Sequence, residues 1–133
     1  MDLRYRAALG TNPAEVAPVR RAVSRIASMV GFVDRSEDVE LAVGEVLANA
    51  QEHGGAPIGV AAWYDGRFIV EVTDAGRGFD RLRVWGTHPP TANGLRGRGL
   101  WIARQISDGV TVRSGADGTS VTIEFSREPQ IGA

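Results

Sequence analysis

SEDVELAVGEVLANAQEHGG, residues 36 to 55, decides how the chain must fold. Val39, Ala42, Val43, Val46 and Leu47 recur at three and four residue intervals, the period of a helix with one buried stripe. Gly54 and Gly55 supply its end, because glycine readily takes the backbone conformations that close a helix. Within the same helix Glu45, Asn49 and His53 follow at intervals of four, so their side chains rise along one face. Asparagine is a weak helix former and Gly44 a weaker one, so local propensity does not account for this stretch. Two accounts are open at this point. The three polar residues form either the solvated side of a surface helix or a chemical site, since an amide oxygen suits Mg2+ and a carboxylate one turn away can orient or deprotonate a hydroxyl. His53 fits a helix-end or surface histidine better than a contributor to such a site.

Upstream, TNPAEVAPVRRAVSRIASMVGF carries Val16, Val19, Val23, Ile26, Ala27 and Val30 at helical spacing and ends near Gly31. Pro13 and Pro18 lie near its beginning and put its start around Pro18. Residues 3 to 9, LRYRAAL, read as a short first strand. Downstream the period changes from helical to alternating. IGVAAWY and RFIVEVTD, separated by Asp65 and Gly66, form a hairpin, because Asp-Gly adopts the left-handed dihedrals of tight turns. Residues 80 to 96 contain two prolines and two glycines with no sustained period and read as a long functional loop. GRGLWIARQISDG, from residue 97, is a Gly-rich entrance to a third helix in which Trp101 and Ile102 pack into the core or an interface. VTVRS and TSVTIEF, separated by Gly115 to Gly118, form a second hairpin. Trp63 and Phe68 are assigned to sheet packing. Helices on one face of a mixed sheet are the expected architecture.

The chain has 133 residues, the length of one compact domain, and is expected to be a single unit over 1–133 with its core at 10–126. Fifteen Lys and Arg against sixteen Asp and Glu leave a formal net charge of -1, which gives no reason to expect direct nucleic-acid binding. With no cysteine there is no disulfide framework or thiolate metal site, and two histidines make a zinc centre a poor fit. The start MDLRYRAALG lacks the apolar run of a signal peptide, and no segment has the length of a membrane helix, so a soluble cytoplasmic protein is expected.

VTDAGRGF, residues 72 to 79, ends a strand in Asp74 and follows it with Gly76 and Gly78. Taken alone this is an ordinary turn. It also suits a carboxylate that accepts a hydrogen bond from a base amino group above bare backbone. The Asp/Asn/Glu succession of an EF-hand is absent. Gly97, Arg98 and Gly99 enter the third helix, where unsatisfied N–H groups can receive phosphate oxygens and Arg96 and Arg98 can add charge. Glycines at such a junction also serve conformation alone, and the arginines can simply be solvated.

Four segments in order, ELAVGEVLANAQEHGG at 40 to 55, VTDAGRGF at 72 to 79, GLRGRGLWIA at 94 to 103 and DGTSVTIEF at 117 to 125, resemble the boxes of a known ATP-binding superfamily. They correspond to the asparagine box, the two glycine boxes and the terminal Gly-Thr box shared by histidine kinases, gyrase and MutL. In its compact form the chain looks most like the bacterial anti-sigma factor serine kinases. The resemblance implies an α+β fold, a two-layer α/β sandwich of the histidine kinase-like ATPase (Bergerat) type, with a mixed, mostly antiparallel sheet and helices on one face.

The resemblance also implies roles residue by residue. Glu45 matches the catalytic base or polarising carboxylate and Asn49 the Mg2+ ligand. Asp74 matches the adenine-reading carboxylate, and Gly76 and Gly78 the positions that allow close approach to the nucleotide. Gly97 and Gly99 match the phosphate-facing glycines, with Arg96 and Arg98 as phosphate contacts that do not match the basic contact of well-known members. Thr119 matches a hydroxyl that helps bind adenine, and residues 80 to 96 an ATP lid. Arg77 and Trp85 receive no role.

The implied cofactors are ATP and Mg2+, and the implied activity is a protein-serine/threonine kinase. Its substrate would be an anti-sigma factor antagonist in a partner-switching system, and its second partner a sigma factor, which it sequesters as a homodimer without contacting membrane. The alternative is a nucleotide-responsive anti-sigma or adaptor module with little or no kinase activity. A two-component histidine kinase is disfavoured, because neither His53 nor His88 sits in a phosphoacceptor helix pair and none precedes the ATP region. A Rossmann domain is disfavoured because the first glycine pair leads into a loop and not a helix.

Overall fold

The computed structural model describes residues 2–76 and 98–127. In chain order these form β1 (Asp2–Leu9), α1 (Val16–Ala27), α2 (Ser36–His53), β2 (Ile58–Tyr64), β3 (Phe68–Asp74), α3 (Arg98–Ile106), β4 (Gly109–Gly115) and β5 (Gly118–Phe125). The strands make one sheet in the order β1-β2-β3-β5-β4. Each described pairing is antiparallel, so the sheet expected to be mixed and mostly antiparallel has no parallel pair among the described residues. The helices pack on one face of this sheet, the α+β arrangement that the four boxes imply.

The apolar stripe of α2 builds the core. Val39, Ala42, Val43, Val46, Leu47 and Ala50 are buried along it. They meet the inward side chains of the sheet, which alternate as strand geometry requires: Ile58, Val60 and Ala62 from β2, Phe68, Val70 and Val72 from β3, and Val121, Ile123 and Phe125 from β5. Trp63, one residue out of phase with Ala62, turns to the other face of the sheet and stays half-buried. From α3 the residues fully buried are Leu100 and Ala103, while Trp101 and Ile102, expected in the core or an interface, are half-buried.

The start of α1 corrects the expectation of a beginning near Pro18. Asn12 accepts a hydrogen bond from the Ala14 N–H at 3.0 Å while Glu15 accepts from the Asn12 N–H at 3.2 Å, a reciprocal cap around the short turn Pro13–Glu15. The α-helix then starts at Val16. Pro18 falls in its first turn, where the N–H it lacks would have had no helical partner. The helix widens over Ser28–Phe32 and reverses at Gly31, whose φ of 101° favours glycine. Gly66, at φ 69°, turns the β2–β3 hairpin as the Asp-Gly pair predicts.

At the start of α2, the buried Arg35 ties together chain segments that are distant in sequence. It donates to Asp108 Oδ2 at 2.9 Å and to the carbonyls of Ser126 and Ile106 at 3.0 and 2.9 Å. Burial by itself would raise the pKa of Asp108, but the Ser126 backbone N–H and the Arg35 guanidinium outweigh it and hold the carboxyl below its ordinary 3.8. A depressed carboxylate stabilises the fold above the unfolded value and loses that contribution as pH falls through the folded one. Chemical denaturation from about pH 7 down to about pH 2 should therefore show an acid-side loss of stability that begins near the ordinary carboxylate value and flattens in Asp108→Asn.

Candidate functional site

Asn49 and His53, one turn apart near the C-terminal end of α2, line a small cavity with Asp74 from the end of β3 and Thr119 from the start of β5. Val46, Val72, Leu100 and Val121 give it apolar walls. The two sheet residues meet because β3 and β5 pair in a register that sets Asp74 opposite Thr119. Thr119 is buried, with its hydroxyl 3.1 Å from that of Ser114 on β4. His53 lies deeper than a surface histidine: its side chain is 10% exposed, and its Nε2 is 3.6 Å from the Glu52 carboxylate.

Asp74 is held by backbone. Its Oδ1 accepts the Gly76 N–H at 3.0 Å, which orients the carboxylate and leaves Oδ2 without a hydrogen bond among the described residues. The Ala75 N–H bonds the Gly55 carbonyl at 2.9 Å, so the chain leaving β3 crosses directly over the chain leaving α2. Only glycine fits that crossing. A Cβ on Gly54 would stand 2.4 Å from Asp74 Cγ, and one on Gly76 would stand 2.5 Å from the Gly55 nitrogen. Gly118, at φ 135°, makes a third close approach, because a Cβ there would lie 2.0 Å from the Asp74 carbonyl oxygen. Gly76 thus has a reason to be glycine inside the protein itself, and Gly54 does more than end a helix.

Glu45 sits one turn before Asn49 on α2 but lines a different and larger groove, between α1 and α2. Pro13, Val16, Arg20, Leu41 and Gln51 are among that groove's other walls. Arg20 crosses it to pair with Glu40 at 3.3 Å. Four turns of i, i+4 spacing would carry side chains far along a helix, whereas the single turn here leaves Glu45 and Asn49 roughly 6 Å apart along the axis. Arg98 and Gly99 open α3, whose first turn also contributes Leu100 to the cavity. Gly78, Arg96, Gly97, Arg77 and the loop at 80–96 with Trp85 lie outside the described residues.

Asn49, Asp74 and Thr119 therefore share one cavity, His53 joins them, and Glu45 stands just outside it. Sequence reasoning missed Ser114, for which a hydroxyl directly before Gly115 is no signal, and the contact of Gly54 with Asp74, which no spacing rule reveals. Among the described residues no three His, Asp or Glu side chains gather as a metal site. A cation here would need oxygens from a ligand as well as the Asn49 amide.

The fold has known counterparts. Residues 9–125 match the family described as the histidine kinase-like ATPase domain, and the chain belongs to it. The structure of the RsbU and RsbW domains of Rv1364c from Mycobacterium tuberculosis superposes with a TM-score of 0.65 at 24% identity, over 92% of this chain and 31% of that one. The histidine kinase domain of the Erythrobacter litoralis EL346 blue-light activated histidine kinase gives 0.58 at 21% identity, over 92% and 68%. A longer chain of the same kinase gives 0.59 at 26% identity, over 76% and 33%. The chain thus spans about a third of two of these proteins. No curated protein matches it.

The glycine crossing is open to direct measurement. Gly54→Ala forces the Asp74 carboxylate to move and should cost about 1–3 kcal/mol by chemical denaturation. Gly115→Ala, where an added methyl meets nothing within 4 Å, should stay within about 0.5 kcal/mol of the parent.

Proposed function

We propose that this chain binds ATP with Mg2+ in the cavity of Asn49, Asp74 and Thr119. We further propose that it transfers the γ-phosphoryl group to a serine of an anti-sigma factor antagonist while also acting as an anti-sigma factor. The observation that carries the reading is the convergence of those three residues, far apart in sequence, on one cavity in a histidine kinase-like ATPase domain. Asp74 Oδ2 accepts a hydrogen bond from the exocyclic amine of adenine, and the hydroxyl of Thr119 assists at the same end. Phosphates extend toward the N-terminus of α3, where backbone N–H groups without helical partners face them, with Gly97 and Gly99 allowing close approach and Arg96 and Arg98 adding charge. Gly76 and Gly78 flank the base. Asn49 offers Mg2+ its amide oxygen and leaves the other positions to phosphate and water oxygens. Bound there, the ion neutralises charge on the phosphates.

Glu45 then accepts the proton of the acceptor serine hydroxyl and aligns it for attack. Its place in the α1–α2 groove, one turn from Asn49, gives the antagonist an approach that does not pass through the nucleotide cavity. The anti-sigma branch rests on the four boxes and on the fold shared with the RsbW domain of Rv1364c. A single domain over 1–133, a cytoplasmic setting, a homodimer and a sigma factor partner belong to the same proposal. Among the described residues no helix is long and apolar enough to cross a membrane.

A second reading, a nucleotide-responsive adaptor with little kinase activity, is favoured by one observation: Glu45 does not line the cavity that holds Asn49. Incubation of the protein and its antagonist with labelled ATP separates the two. Under the kinase reading Glu45→Ala lowers transfer by about a hundredfold or more while ATP affinity by calorimetry persists. Transfer that is unchanged in Glu45→Ala removes Glu45 as the essential carboxylate, and no transfer to an antagonist shown to bind leaves the adaptor. Asp74→Asn should weaken ATP binding in either case, and Asn49→Ala should abolish its dependence on Mg2+.

A further inference from the structure

The reaction proposed above leaves one buried charge unused. Arg35 is 6% exposed and, with Thr119, makes up the buried polar residues among those described. Taking a guanidinium out of water is costly unless its donors are met, and here they are met unusually fully. Nη1 reaches Asp108 Oδ2 at 2.9 Å and the Ser126 carbonyl at 3.0 Å, Nη2 reaches the Ile106 carbonyl at 2.9 Å, and Nε faces Asp38 Oδ2 at 3.4 Å. The plane lies 5.3 Å from the Phe125 ring centroid. Asp108 Oδ2 also accepts the Ser126 N–H at 2.8 Å, which closes the cluster.

What these bonds connect gives the cluster its meaning. Arg35 immediately precedes α2, and Ile106 is the last residue of α3. At the opposite ends of the two helices, Leu100 from the first turn of α3 lines the cavity with Asn49 and His53 from the end of α2. The helices are therefore antiparallel, and Arg35 bonds the trailing end of α3 to the leading end of α2. A helix of this length is a stiff rod, so a shift at Ile106 reaches Arg98 almost undiminished. The negative end of the α3 dipole adds to the hold on the guanidinium.

We infer that Arg35 is a positioning residue for the phosphate end of the nucleotide site: it sets the axial register of α3 against α2, and with it the placement of the α3 N-terminus relative to Asn49. Asp74 and Thr119, which read the base, do not share this dependence, because they sit on paired strands. The inference rests on the ATP-binding reading.

It predicts an effect that a purely structural role would not produce. Calorimetric titration of the full chain with ATP·Mg2+ and separately with adenosine compares the two ends. In Arg35→Met, ATP·Mg2+ affinity should fall by about tenfold to a hundredfold while adenosine affinity stays within about twofold. Arg35→Lys, which keeps one charged contact, should lie between. Equal losses for both ligands, or a lowered melting temperature with both affinities intact, would overturn the proposal. If Arg35→Met does not fold, Asp108→Asn serves instead, since it loosens the same hold from a partly exposed position: a selective ATP loss supports the proposal and an unchanged ratio refutes it. Parent protein that binds neither ligand refutes the nucleotide reading itself, and this proposal falls with it.

Discussion

Everything else in the structure depends on how α2 is buried. Its stripe from Val39 to Ala50 lies against the inward side chains of β2, β3 and β5, while α1 and α3 flank it on the same face of the sheet. Such packing leaves the helix one freedom, sliding along its own axis, and polar contacts at its ends remove it. Arg35 holds the leading end against α3, and at the trailing end the Gly54–Gly55 segment is clasped to the exit of β3. Between those two anchors Glu45, Asn49 and His53 have no choice of position. Interiors packed at crystal density transmit such constraints with little loss.

The trailing anchor is also where the candidate site is made. Two chain segments cross at Gly55 and Ala75 with only backbone between them, and a third glycine, Gly118, brings the β4–β5 turn against Asp74. The same absence of side chains that lets the backbones touch leaves Asp74 with one oxygen bound by Gly76 and the other without a hydrogen bond among the described residues. A carboxylate held by a backbone N–H keeps its orientation without a charged neighbour. The proposed role of Asp74 as acceptor for a neutral base draws on that fixed orientation. Glycine here serves fold and site through one geometric fact.

Much of this was legible before any coordinates. The helical period of residues 36 to 55, the Asp-Gly hairpin and the Gly-bounded final hairpin have local causes, and local causes are written in neighbouring residues. Asn49 and Asp74 could be singled out by residue type and place in their elements, whereas Thr119 was reached only through the resemblance to the ATP-binding boxes. The expected start of α1 near Pro18 takes that proline as a helix-start signal, whereas the reciprocal cap of Asn12 and Glu15 sets the start earlier and leaves Pro18 inside the first turn, where its missing N–H has no helical partner to lose. His53 was read as peripheral because a helix end is commonly solvated, and the neighbours that cover it come from elsewhere in the chain.

By itself, then, the sequence determined the elements, their order and which polar residues stand out, since periodicity and turn chemistry act over a few residues. Only the tertiary structure decided which of those residues meet. It separated Glu45 in the α1–α2 groove from Asn49 in the cavity, although four residues of one helix would have let both face the same space. It also gave Arg35 its four partners, three of them some seventy or more residues away. A buried charge is satisfied by whatever the fold brings to it, and no local pattern in the chain records that encounter.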